Sequence, residues 1–314
     1  MTARTNLPQS LSGRPFAVST AMIEGVSSSR LRGSDLDAPF WGVRSANGFT
    51  DDLVGRAFAY FSRSSELAIL SHVSAAQLFG MPLPTRFQAD VRLHVAVPPD
   101  MRAPRGRGVV GHHLRLHPTD VLIRDGIRTT TQARTLCDLA SILKEEDLLA
   151  VADYLIWWRR SDADRVPIAE IEAAIGRHPT SRGMARARAV FPKSSDRADS
   201  APESKIRYRI LLAGLPAPSV NLNVYDAGGR FLAMPDLSYP KYRMALDYEG
   251  DHHRTDIEQW EKDIHRVPQL EDAGWHHTRI SRRDLRDSTD FLDRLARNLR
   301  ARGWTPVEGS RLTP

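Results

Sequence analysis

Apolar positions alternate along the chain between helical spacing and strand spacing, which predicts a mixed α/β (α+β) fold. The clearest strand is VRLHVAVP, in which Leu93, Val95 and Val97 share one face and polar residues share the other. That alternation is typical of a strand buried on one side. The clearest helices are TTQARTLCDLASIL and EDLLAVADYLIWWRR, whose apolar residues recur every three to four positions. Strands and helices follow one another to the end of the chain.

The pattern predicts four parts and a tail. The predicted borders place the first part at 1–48, a second α/β part at 49–190, a linker at 191–199, a compact unit at 200–304 and a tail at 305–314. The linker rests on FPKSSDRADSAP, a polar stretch with a proline near each end and no apolar periodicity. We expect the last unit to contain a helix, three antiparallel strands, a helix, a strand and a helix.

In the first part the pattern predicts two short helices, at 16–24 and 27–36, and a strand at 40–44. This order resembles a small winged helix-turn-helix. The second helix would then present Arg30 and Arg32 to DNA phosphates. The same pattern also fits a small helical hairpin that packs on the next domain.

The second part resembles the C-terminal portion of the AbiEi class of antitoxins from type IV toxin-antitoxin systems. The resemblance rests on LSHVSAAQLFGMP at 70–82, on RLHVAVP and on GIRTTTQARTLCDLA at 126–140. It implies binding to DNA or to a protein partner such as a toxin. It supplies no catalytic residues.

Acidic residues converge on a predicted hairpin in the last unit. Asp247 and Glu249 are two positions apart on one strand, so they project from the same face. Antiparallel pairing about the turn at 240–241 brings Asp236 roughly to the level of Asp247 or its neighbours. Because Mg²⁺ prefers oxygen ligands, this cluster is a candidate cage for that cation.

Two further features flank the cluster. Glu203 opens the preceding helix three residues after Ser200, a spacing that a helix-capping box also explains. His252 and His253 follow the third strand, and an imidazole can act as the general base that activates water.

The order of these residues resembles the PD-(D/E)XK superfamily in its very-short-patch-repair endonuclease-like branch, over about residues 200–303. The residues that carry the resemblance are Glu203, Asp236, Asp247, Glu249, Gly250, His252, His253, Asp263, Arg266, Gly274 and Trp275. The resemblance implies that Asp236 and Asp247 bind Mg²⁺, with Mn²⁺ as a substitute, and that Glu203 orients the metal or its water. It implies that His253, or His252 instead, serves the attacking water or the leaving oxygen.

Two features depart from that superfamily. The strand acids are exchanged in type, with Asp-Tyr-Glu at 247–249 where Glu-x-Asp is more usual. Glu249 stands where the motif carries a lysine, and a glutamate cannot stabilise negative charge on the scissile phosphate. Arg254 and Arg266 join Arg30 and Arg32 as candidate DNA-binding residues.

The composition sets broad limits. A net charge of +6 permits nucleic-acid binding without establishing it. The chain contains neither a long apolar run nor a signal-like N-terminus, so we expect a cytoplasmic protein. The single cysteine, Cys137, excludes an internal disulfide and fits a core position better than a catalytic one.

Three hypotheses follow from the sequence. The first is a metal-dependent DNA endonuclease or nickase, in DNA repair or phage defence, that requires the acids to cluster. The alternative is a non-catalytic DNA-binding regulator, similar to an antitoxin, which retains a nuclease fold. In the third, Glu203 caps a helix, the acids form a solvated face, and their joint order is incidental.

Overall fold

The computed structural model describes residues 6–46, 50–249 and 267–306, and these form a mixed α/β fold as predicted. The chain divides into two compact units. Unit 1 comprises Met1–Ile142 and Ala169–Met184, and unit 2 comprises Leu143–Ile168 and Ala185–Pro314. None of the helices in the described ranges is long and apolar enough to cross a membrane.

The helices and strands have the following bounds. The helices are α1 (Val18–Ile23), α2 (Leu53–Phe61), α3 (His72–Leu78), α4 (Thr85–Gln88), α5 (Gln132–Leu139), α6 (Glu145–Ile156), α7 (Ile168–Arg177), α8 (Met184–Val190), α9 (Ala201–Leu212), α10 (267–272), α11 (Arg282–Arg286) and α12 (Thr289–Ala301). The strands are β1 (Phe16–Ala17), β2 (Val43–Arg44), β3 (Ile69–Leu70), β4 (Leu93–Val97), β5 (Arg105–Gly106), β6 (Val109–His113), β7 (Val121–Arg124), β8 (Ile127–Thr130), β9 (Ser219–Val220), β10 (Val224–Tyr225), β11 (Phe231–Ala233), β12 (Leu237–Tyr239), β13 (Met244–Glu249) and β14 (His276–Ser281). Short 3₁₀ helices cover Gln9–Leu11, Arg30–Arg32, Pro118–Asp120, Phe191–Lys193 and Pro240–Tyr242.

The start of unit 1 differs from the predicted winged helix. The second predicted helix, at 27–36, is reduced to the 3₁₀ helix Arg30–Arg32. Serines at 27–29 favour local hydrogen bonds over an α-helix, and the Ser27 hydroxyl accepts one from the Arg30 backbone N–H. The chain then becomes extended at Gly33. Within the described residues this segment therefore presents no recognition α-helix.

Unit 1 is built on a six-stranded mixed sheet in the order β5-β6-β4-β3-β8-β7. All five residues of β4 are buried, although the alternating pattern predicted one exposed face. On one face Leu93, Val95 and Val97 belong to the apolar core. On the other, the His94 ring stacks on His112 with centroids 5.1 Å apart. The polar face is therefore covered by other histidines rather than by water.

Unit 2 contains a four-stranded sheet in the order β14-β13-β12-β9. Strands β9, β12 and β13 are antiparallel neighbours, as predicted, and β14 pairs with β13 in parallel. One face packs on α9 and α12 through a core that includes Ile206, Leu246 and Phe291. The opposite face carries Asp247.

Helix α6 also belongs to unit 2, so the observed division differs from the predicted border near residue 190. A buried ion pair between Arg207 and Asp153, with N and O 2.6 Å apart, joins α6 to α9. Arg209 and Glu146 form a second ion pair at 2.7 Å. Sequence periodicity contains no signal for such pairs, because their partners lie more than fifty residues apart.

The predicted linker at 191–199 is packed rather than open. Phe191 and Ala198 are buried. The Ser195 backbone N–H donates a hydrogen bond to the Asp153 carboxylate at 2.7 Å. These contacts fix the segment against α6, within unit 2.

Candidate functional site

Two aspartates meet where β12 begins and β13 nears its end. Leu237 pairs with Leu246, so the next step in the antiparallel register places Asp236 opposite Asp247. The Asp236 backbone N–H donates to Oδ1 of Asp247 at 3.2 Å. In return, the Tyr248 backbone N–H donates to Oδ2 of Asp236 at 2.7 Å. The two carboxylates are therefore cross-braced, because each accepts a hydrogen bond from the backbone of the facing strand.

A histidine on the neighbouring strand braces Asp247 from the side. His277 lies beside Ala245 in the parallel register of β13 and β14, on the face that carries Asp247. Its Nε2–H donates to Oδ2 of Asp247 at 2.7 Å, and the imidazole is only 5% exposed. Sequence reasoning missed this residue, because the register of a strand thirty positions away has no local signal.

Glu203 reaches the aspartates through an asparagine. Its backbone N–H donates to the Ser200 hydroxyl at the start of α9, so the predicted helix cap is present. The Nδ2–H of Asn221 donates to Oε2 of Glu203 at 2.9 Å, and the Asn221 backbone N–H donates to the Asp236 carbonyl at 3.0 Å. Asn221 thus links Glu203 to the strand end that carries Asp236.

The environments of Glu203 and Asn221 explain why these residue types stand there. Burial raises the pKa of the Glu203 carboxyl, while hydrogen bonds from Ser200, Asp199 and Asn221 act in the opposite direction. Asn221 is 2% exposed and has a φ of 43°, a left-handed conformation that asparagine tolerates better than most residues. A second functional residue missed by sequence reasoning is therefore Asn221, whose only local signal is the polar sequence NLN.

Glu249 lies at the rim of the same face. It is exposed, and its Oε1 accepts a hydrogen bond from Nε of Arg279 on β14 at 3.0 Å. The glutamate at the position of the motif lysine thus has a cation beside it, supplied by another strand.

Six further site residues were predicted from the sequence. His252, His253, Arg254 and Arg266 lie outside the described residues. In unit 1 Arg30 forms an ion pair with Asp35 at 2.8 Å, whereas Arg32 is exposed.

Among the described side chains, no three of the His, Cys, Asp and Glu type are grouped as a ligand set for a metal ion. The carboxylates that the structure brings together directly are Asp236 and Asp247. Mg²⁺ in proteins is commonly held by one or two carboxylates, with water and substrate phosphate as its other ligands. The donor chemistry of this pair therefore fits such an ion without a third acidic ligand.

Comparison with known proteins gives relatives without an assigned activity. The chain is 28% identical over 272 residues to the uncharacterized proteins MT2308 and Rv2248 from two strains of Mycobacterium tuberculosis. The similarity covers 86% of this chain and 94% of each relative, so it includes both units. No family model and no solved structure matches the chain.

Proposed function

We propose that unit 2 is a metal-dependent endonuclease that hydrolyses phosphodiester bonds in DNA, nicking one strand or cutting both. The observation that carries the proposal is the cross-braced pair of carboxylates, Asp236 and Asp247. Two like charges held side by side repel each other, and a bound cation relieves that repulsion. In metal-dependent hydrolysis of phosphodiesters, such a cation also stabilises charge on the phosphate.

Asp236 and Asp247 would hold Mg²⁺ or Mn²⁺ through their carboxylate oxygens. When bound, the metal polarises the phosphate and lowers the pKa of a coordinated water. The chain's own residues fix the two carboxylates. His277 orients Asp247, and Asn221 connects Asp236 to the buried Glu203.

Nucleic acid as the substrate fits the charge of this part of the chain. Exposed arginines follow β14 and continue along α11 and α12, including Arg282, Arg283, Arg294 and Arg297. Phosphate contacts supply much of the affinity of DNA-binding proteins and require cations of this kind. The alternative function, a regulator that binds DNA without cutting it, uses the same surface and predicts binding alone.

The test is cleavage of supercoiled plasmid by the purified full-length protein with Mg²⁺, with Mn²⁺ or with EDTA. We expect nicked or linear product with either metal and no product with EDTA. The isosteric variant Asp247→Asn should lose at least about a hundredfold in rate, because the carboxylate charge that holds the metal is gone.

Asp226→Asn is the matched control, because Asp226 lies in unit 2 on the β10–β11 hairpin, outside the carboxylate pair. Its rate should equal that of the wild type. DNA binding without cleavage under either metal would move the conclusion to the regulator. Full activity in Asp247→Asn would remove the proposed site.

A further inference from the structure

Among the described residues, three acidic side chains lie on the carboxylate face of unit 2, where the proposed enzyme would bind phosphate. Asp236, Asp247 and the exposed Glu249 lie at one end of the β12–β13 hairpin. A phosphodiester adds a further negative charge, and more charge develops on its oxygens as bond cleavage proceeds. A side-chain cation beside the phosphate would offset the repulsion that opposes binding and the charge that develops during cleavage.

The sheet register places Arg279 where that cation is needed. In the parallel pairing of β13 with β14, Arg279 is the partner of Asp247, and Glu249 is the partner of Ser281. Side chains at paired positions project from the same face of a sheet. Arg279 therefore stands beside Asp247 on the carboxylate face, and its ion pair with Glu249 keeps its guanidinium at the rim.

The ion pair leaves this guanidinium available to a substrate. The side chains of Arg279 and Glu249 are 57% and 51% exposed. Exposed ion pairs contribute little stability, so a phosphate oxygen can replace the glutamate at small cost. The contact uses Nε, and both terminal nitrogens of a guanidinium can donate to a phosphate in a planar fork.

Three other basic residues in the described part of unit 2 are held by contacts within the protein. Arg207 is buried against Asp153. Arg197 donates to the Asn221 carbonyl, and His277 donates to Asp247. Among the described residues around the carboxylate pair, Arg279 is thus the exposed guanidinium on the correct face.

We infer that Arg279 binds the scissile phosphate and stabilises the negative charge that develops on it. From β14 it supplies the cation that the resembled motif places as a lysine on the adjacent strand, at position 249. The inference rests on the proposed function, and it assigns Glu249 the role of holding the guanidinium until DNA arrives.

The first experiment compares Arg279→Ala, Arg279→Lys and the wild type in plasmid cleavage with Mg²⁺. We expect Arg279→Ala to lower kcat about a hundredfold and to raise KM much less, because the contact strengthens as charge develops. Arg279→Lys should recover at least about tenfold of the loss, since a lysine retains the charge but not the fork. Arg230→Ala on the β10–β11 hairpin, where the side chain is 71% exposed, serves as the arginine control, with a rate near that of the wild type.

The second experiment measures binding of a short DNA duplex in EDTA over a range of salt concentrations. Arg279→Ala should reduce the slope of log affinity against log salt by about one phosphate contact. Glu249→Gln should raise affinity in the wild-type background, because the guanidinium loses its competitor. In the Arg279→Ala background the gain should be smaller, which separates competition from a simple loss of negative charge.

The outcomes distinguish this inference from the proposed function. If Asp247→Asn is inactive while Arg279→Ala keeps the kcat and KM of the wild type, the nuclease stands and the role of Arg279 is overturned. If the wild type cleaves nothing, the proposed function fails. The DNA-binding experiment then tests the phosphate contact by itself. An unchanged slope of log affinity against log salt in Arg279→Ala would overturn that contact.

Discussion

Each unit contains a buried aspartate that other polar groups hold in place, but the partners differ in charge. In unit 1 the Asp120 carboxylate is fully buried and contacts His178 at 2.8 Å, Arg177 at 3.2 Å and Arg134 at 3.4 Å. In unit 2 the Asp247 carboxylate accepts hydrogen bonds from the Asp236 backbone and from His277, and a second carboxylate stands beside it. Two arginines and a histidine contact Asp120, whereas a histidine and a second aspartate flank Asp247.

The difference separates a structural network from a binding site. Burial alone would raise the pKa of Asp120, but the His117 backbone hydrogen bond and the charges of His178 and Arg134 bring it below its ordinary value. The folded state thus favours the ionised form of Asp120. The Asp236–Asp247 pair instead brings two carboxylates together, which supports the proposal that it binds a metal, whereas the Asp120 network stabilises the fold.

The largest predicted effect on stability follows from breaking the Asp120 network. Asp120→Asn should lower the free energy of unfolding by about 3–5 kcal/mol, because it leaves buried Arg134 without its full counter-charge. Chemical denaturation monitored by circular dichroism would measure the loss. Asp125→Asn is the control: Asp125 is exposed and has a φ of 51°, which asparagine tolerates, so its change should stay within about 0.5 kcal/mol. A loss below about 1 kcal/mol for Asp120→Asn would contradict the structural assignment.

A smaller effect should come from the histidines of unit 1. Burial lowers the pKa of His112 to about 4, and it lowers the pKa of His72 and His94 as well. The unfolded chain therefore binds more protons than the folded one between the folded pKa and the ordinary value of 6.5. Stability is complete above about pH 6.5 and is lost as the pH falls through that window, by about 1–2 kcal/mol at pH 5.

Urea unfolding at pH 7.5, 6 and 5 tests this dependence. His112→Gln should flatten it, because glutamine cannot take up the proton. The neighbouring His113, which is exposed on the same strand, provides the control His113→Gln with an unchanged dependence. If the free energy of unfolding of the wild type did not change with pH, folding would not lower the pKa of these histidines.

His277 sharpens the comparison within unit 2. His277→Ala should weaken Mn²⁺ binding about tenfold, because Asp247 loses the donor that orients its carboxylate. His277→Gln should restore most of the affinity, since its amide can donate from nearly the same place. Calorimetric titration with Mn²⁺ in the absence of DNA measures both. Equal affinity for Mn²⁺ in His277→Ala and the wild type would show that His277 packs beside Asp247 without orienting its carboxylate for the metal.

The sequence predicted those parts of the site that depend on local geometry. The alternation of side chains along a strand and the turn predicted at 240–241 placed Asp236 near Asp247, and the observed register makes the two residues direct neighbours. The position of Asn221 depends instead on a left-handed backbone, and that of His277 depends on a parallel register. Both are set by tertiary packing, which periodicity does not reveal.

The same limit explains the differences in the fold. Helix α6 was predicted from its spacing, but its ion pairs with α9 decide the unit to which it belongs. The segment 191–199 has the polar composition of a linker, although Asp153 holds it in place. In both segments the sequence pattern could not show what the polar groups bind.

The smallest predicted effect on the free energy of unfolding comes from Asp247→Asn in unit 2. It tests the comparison most directly, because it is the same type of substitution as Asp120→Asn in unit 1. Asp247→Asn should alter the free energy of unfolding by less than about 1 kcal/mol. The amide oxygen can still accept from the Asp236 N–H, and the amide nitrogen can donate to Nε2 of His277, while repulsion from the Asp236 carboxylate disappears. Chemical denaturation beside Asp120→Asn measures the contrast. If Asp247→Asn instead cost as much as Asp120→Asn, the negative charge at 247 would be part of a balanced structural network, and its assignment to metal binding would lose its physical basis.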